Sequence, residues 1–69
     1  MIESQTYDYK GYRIVVMNKQ PIFQAAIYPI LMSLPLVNWT RPPIEAPNVR
    51  AAELLARQRI DKTLAKEAA

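Results

Sequence analysis

From residue 48 onward the chain runs NVRAAELLARQRIDKTLAKEAA, with neither proline nor glycine and, apart from Asn48 and Thr63, mostly strong helix formers. Val49, Ala52, Leu55, Ala56, Ile60 and Leu64 recur at three- and four-residue spacings, so a helix over 48–66 gathers them into one apolar stripe. That stripe must be buried. Asn48 is a good N-cap, because its side-chain oxygen can accept an orphan amide hydrogen of the first turn. Arg50, Arg57, Asp61 and Lys62 lie opposite the stripe, where Glu53 with Arg57 and Arg57 with Asp61 can form solvent-facing ion pairs. Leu54 falls off the stripe, either as an ordinary surface leucine or as a subunit contact.

The remainder of the chain must supply the layer that the helix covers. YKGYRIVV, residues 9–16, predicts a first strand over 7–17, with Tyr12, Ile14 and Val16 on one face and Arg13, Val15 and Met17 on the other. Asn18 to Pro21 reads as a turn. A return strand over 22–28 alternates Phe23, Ala25 and Ile27 against Gln24, Ala26 and Tyr28. A third extended segment is expected over 35–39, after a turn around Met32, Ser33 and Leu34; the alternatives are an irregular segment over 30–39 or a helical turn from Ile30 to Leu34. TRPPIEAPN, with three prolines, reads as a stiff linker over 40–47. The expected fold is α+β: one domain over 1–69, with an antiparallel sheet of two to three strands packed against one C-terminal helix in β-β-β-α order. The larger core side chains are expected to be Tyr12, Ile14, Phe23, Ile27, Trp39, Leu55, Ile60 and Leu64.

Gly11 is the only glycine, and it leads into a strand and not into a helix N-terminus, so it cannot form a phosphate cradle. A bulge, a bend or the close approach of another side chain is its expected role. Tyr7, Tyr9, Tyr12 and Tyr28 read as strand formers that add amphipathic area at a core edge or subunit boundary. Trp39 is large enough to seal one end of the core or to anchor an interface.

A chain of 69 residues buries only roughly 60% of its unfolded surface, and small domains usually add disulfides, a metal or a partner. Cysteine and histidine are both absent, which removes disulfides, thiol chemistry, soft-metal sites and the commonest general base. No catalytic, cofactor or metal site is therefore expected, and no enzyme activity. Association is the remaining way to enlarge the core. A homo-oligomer, most simply a homodimer, is expected, with an unidentified protein partner or membership of a larger complex as further options. Its contributors would be Val15, Met17, Tyr28, Ile30, Met32, Trp39 and Leu54.

Nine Lys or Arg against six Asp or Glu give a formal charge of +3, a mild excess. Nucleic-acid binding is the second class, through Arg13, Lys19 and Arg41 near the sheet or Arg50, Arg57, Lys62 and Lys66 on the helix. MIESQTYDYK has acids and no apolar stretch, unlike a signal or transit peptide, and the apolar run Ala25–Val37 is broken by Ser33 and two prolines. No membrane role is expected, and the cytoplasm is the default compartment.

Tyr9, Gly11, Tyr12, Ile14 and Val16, then Gln24 to Pro29, and finally Ala56, Arg57, Ile60, Asp61 and Leu64 form a pattern that resembles small bacterial β-β-β-α proteins with a Tyr-x-Gly-Tyr first strand. More remotely, the β-β-β-α order resembles the partial RNase-H-like domain of HicB-type antitoxins. That resemblance implies an antitoxin-like regulatory role.

Overall fold

In the computed structural model, which describes residues 4–68, four strands precede one helix: β1 Ser4–Tyr9, β2 Tyr12–Lys19, β3 Ile22–Pro29, β4 Ile44–Ala46 and α1 Val49–Ala68. The strands form one antiparallel sheet in the order β1-β2-β3-β4. The expected α+β architecture holds, with one strand more than expected. Among the described residues no helix is long and apolar enough to cross a membrane.

The segment 7–17, read from its sequence as a single strand, is broken at its middle. Lys10 (φ 51°) and Gly11 (φ 85°) are both left-handed, which makes a two-residue hairpin turn of the type that matches strand twist. Tyr9 pairs with Tyr12, and the register runs without a bulge to Ser4 opposite Met17. Gly11 also lies under the loop after β3: a Cβ there would sit 2.6 Å from Leu34 Cδ1. The expected close approach of a side chain is therefore present, inside a turn and not a bulge. The second turn is Gln20 and Pro21, joined by a cis peptide, with the Gln20 amide donating to Asn18 Oδ1 at 3.1 Å.

Alternation behaves as expected in β2 and β3. Tyr12, Ile14, Val16, Ala25 and Ile27 are buried on the face under α1, and Ile44 and Ala46 of β4 join them. The helix packs over β2, β3 and β4. It contributes Ala52, Ala56 and Ile60, all fully buried, with Val49 and Leu64 at the margins. Asn48 caps it as expected: its Oδ1 accepts from the Ala51 amide at 2.8 Å. Leu55 departs from the expected core, being 41% exposed at the flank of the stripe.

No strand forms over 35–39, and the final strand lies inside the Pro-rich segment that reads as a linker. The physical reason is that residues 35–39 are held by side chains and not by a neighbouring strand. Tyr12 donates its hydroxyl to the Pro35 carbonyl at 2.6 Å, Val37 is buried as a single plug, and Asn38 Oδ1 accepts from the Thr40 and Arg41 amides, both at 3.1 Å. Ile44 and Ala46 then place two side chains on the core face with Glu45 outward, between Pro43 and Pro47. Residues 30–34 form the expected turn around Met32 and Ser33, closed by the Leu34 amide donating to the Leu31 carbonyl at 3.2 Å.

This packing separates two leucine-sized positions on the same helix. Ile60 is fully enclosed, whereas Leu54 is 56% exposed. Truncating Ile60→Ala is expected to cost about 2–4 kcal/mol, and Leu54→Ala within about 0.5 kcal/mol, read from urea unfolding at one protein concentration. Gly11→Ala should cost about 1–2 kcal/mol, because a β-carbon is disfavoured in left-handed backbone.

Candidate association surface

The register defines a second sheet face that α1 does not cover. It carries Ser4, Thr6 and Asp8 of β1, Arg13, Val15, Met17 and Lys19 of β2, Ile22, Gln24, Ala26 and Tyr28 of β3, and Glu45 of β4. Val15 pairs with Ala26 and Met17 with Gln24 at the middle, while Asp8 and Arg13 pair across strands with Nε to Oδ1 at 3.3 Å. At the middle of this face Ala26 is fully buried and Val15, Met17 and Gln24 are half-buried, with charged and polar side chains around them. Trp39 packs edge-to-face on Tyr28, with ring centroids 5.8 Å apart and an interplanar angle of 67°, and is half-buried beside the core.

The loop after β3 lies at the end of the sheet that holds Gly11. Ile30, Leu31, Met32 and Leu36 all project into solvent, Met32 completely and Leu36 at 81%. The backbone beneath them is tied down. The Ile30 amide donates to the Gly11 carbonyl at 2.8 Å, and Arg59 Nη1 of α1 donates to the Asn38 carbonyl at 2.7 Å and the Pro42 carbonyl at 3.0 Å. Composition alone gave no reason to single out Arg59; only its half-buried place beside the apolar stripe distinguishes it from the other helix cations. Burial pushes the Tyr12 phenol up, and the nearby charge of Glu67 adds to this, so the group that holds Pro35 stays a neutral donor.

A polar lock joins the hairpin tip to the helix. Asp61 accepts from the Tyr9 hydroxyl at 2.9 and 3.0 Å and from Lys10 Nζ at 2.8 Å. Arg57 pairs with Glu53 as expected and lies 5.0 Å from the Tyr9 ring centroid, a cation–π distance. Asp61 thus serves the sheet and not the Arg57–Asp61 pair expected along the helix. Hydrogen bonds from Lys10 and then Tyr9 hold its carboxyl below the ordinary 3.8, and the Asp61 bond raises Lys10 above 10.5. Between β4 and α1 runs an open groove of about 720 Å³, lined by Ile44, Glu45, Leu55, Gln58 and Lys62 among others. Its charges are of both signs.

Of the residues expected at an interface, Val15, Met17 and Tyr28 share the uncovered face, Trp39 packs on Tyr28, and Ile30 and Met32 stand on the adjoining loop. Leu54 lies apart on the outer side of α1. The expected cations do not gather. Arg13 is paired on the uncovered face, Lys19 and Arg41 sit in or beside different turns, Arg50 begins the helix, Arg57 is held against Glu53 and Tyr9, Lys62 lines the groove, and Lys66 is in the last helical turn. Leu31 and Leu36 were not singled out from the sequence. Among the described residues, no three metal-ligating side chains come together.

Fold and surface define a small α+β protein with one covered and one uncovered sheet face. Against protein-family models, curated proteins and solved structures, the chain has no match.

The lock yields a signed pH dependence. A carboxyl depressed below 3.8 lends its stability above that pH and loses it as pH falls through the lower folded value. A lysine raised above 10.5 lends stability below that pH and loses it as pH rises through the higher value. Asp61→Asn should therefore flatten both limbs of a melting-temperature profile followed by circular dichroism. Profiles that run parallel for the two proteins would contradict the lock.

Proposed function

We propose that this protein is a self-associating interaction module, without catalysis of its own, whose partner is foremost a second copy of the same chain. One observation carries the reading. Of the seven large hydrophobic side chains exposed among the described residues, five (Tyr28, Ile30, Leu31, Met32 and Leu36) fall within nine consecutive positions, so the exposure is concentrated in one segment. Loops normally present polar groups, and contiguous apolar surface with a polar rim is characteristic of contact sites. Val15 and Met17 lie half-buried on the same sheet face as Tyr28, and Tyr28 with Trp39 supplies the aromatic content that interface centres favour.

Dispersal of the basic side chains speaks against a polyanion surface, which needs cations gathered along one stripe. Light scattering coupled to size exclusion, run from low to high micromolar concentration, tests the reading. The mass should rise to twice the monomer value or above it, and Leu31→Ser combined with Met32→Ser should weaken the association about tenfold or more, the loss of about 1.4 kcal/mol. A monomer at every concentration, with nucleic acid retained at low salt and released by added salt, would replace it with the polyanion reading.

A further inference from the structure

The two edges of the sheet are unlike. β4 is three residues long, flanked by Pro43 and Pro47, and beside it Thr40 and Pro43 already form a bridge. Such an edge offers little backbone to a new strand. β1 is six residues, SQTYDY, with no proline, no lysine and no bulge among them, and α1 packs mainly over the other three strands and reaches β1 at Tyr9, through Asp61 and Arg57. Among the described residues, none of the usual devices that keep edge strands from pairing is present along β1 except the charge of Asp8.

The hairpin decides which backbone groups are free. In a two-residue turn of this type the flanking pair, Tyr9 with Tyr12, is hydrogen-bonded, and inward and outward groups alternate from there. Tyr7 and Gln5 therefore bond to β2, and the amides and carbonyls of Ser4, Thr6 and Asp8 point away from the sheet.

We propose that two copies join antiparallel at their β1 strands about a two-fold axis through Thr6, which places Thr6 opposite Thr6 of the second copy and Ser4 opposite Asp8. This register pairs every outward-facing residue of β1 and forms about six backbone hydrogen bonds, two in each of three narrow pairs. It sets the Asp8 carboxylate beside a serine hydroxyl. Centring the axis on Asp8 would oppose two carboxylates, and centring it on Ser4 would leave Asp8 without a partner within β1. Gln5 and Tyr7 then face each other on the helix side. A two-fold axis perpendicular to the sheet keeps both helices on one side, so the four strands of each copy become one eight-stranded sheet with a continuous uncovered face. The inference rests on the self-association reading and adds to it a second contact between copies, at the β1 edge and apart from the exposed loop of Ile30 to Leu36.

The chain has no cysteine, so a single Thr6→Cys reports this contact alone. Narrow antiparallel pairs hold Cα atoms about 5.5 Å apart, within disulfide reach. Under mild oxidation Thr6→Cys should convert to a covalent dimer, while Glu45→Cys on the opposite edge stays monomeric in denaturing electrophoresis. Thr6→Pro removes an outward amide at an edge position where proline is tolerated, so its circular dichroism should match the wild type while the mass it reaches at high concentration falls below the wild type's. If mass still rises with concentration but Thr6→Cys does not crosslink and Thr6→Pro associates normally, the β1 contact is wrong and the self-association reading stands. If the wild type is monomeric throughout, both fall. Crosslinking of Glu45→Cys as readily as Thr6→Cys would likewise overturn the assignment.

Discussion

The close seating of α1 on β2, β3 and β4 is the constraint from which the rest follows. Ala52 and Ala56 are fully buried, and their small side chains let the helix backbone approach Ile14, Ala25, Ile27 and Ile44 without a thick layer of side chains between. Such an interface is dense at its centre and poor in area at its margins. Polar groups complete those margins. On one flank Tyr9 and Lys10 reach Asp61, and on the other Arg59 reaches two loop carbonyls, so each side of the helix is fixed by directional bonds where apolar contact runs out. Twenty helical residues span about 30 Å, longer than the sheet beneath them. Leu34 of the loop after β3 and Leu64 of α1 are half-buried beside the core.

How far this was legible in the sequence depends on the range of the interactions that fix each element. The helix, its Asn48 cap and the alternation in β2 and β3 follow from local spacing, because one face of each is buried and the period of that burial is written directly into the residue types. The first hairpin was hidden since Lys10 has no preference for left-handed backbone and Gly11 sat between tyrosines that both favour strands. β4 was hidden by its length: three residues between prolines carry too little alternation to distinguish a strand from a linker. Residues 35–39 looked extended from composition, yet their conformation is set by Tyr12, which lies 23 residues away from its acceptor in the chain.

The surface was legible to the same degree. Val15, Met17 and Tyr28 could be assigned to one face from period two, and the structure packs Trp39 on Tyr28. Leu54 could be marked as off the stripe but not located relative to the others. Leu31 and Leu36 resembled their buried neighbours in every local respect. Their exposure comes from how Leu34 and Val37 are drawn inward instead, which is a property of the folded loop as a whole. Arg59 was equally silent, since its acceptors are backbone carbonyls that any sequence could provide.

Anchoring of residues 30–42 at both ends and in the middle has a further meaning for recognition. A surface whose backbone is already immobilised surrenders little conformational freedom when something settles on it, so most of the gain from dehydrating Ile30, Leu31 and Leu36 is retained as affinity. On the self-association reading, the same anchoring would make the segment selective, because the loop could bend little to meet a mismatched contour and shape would become the criterion for acceptance.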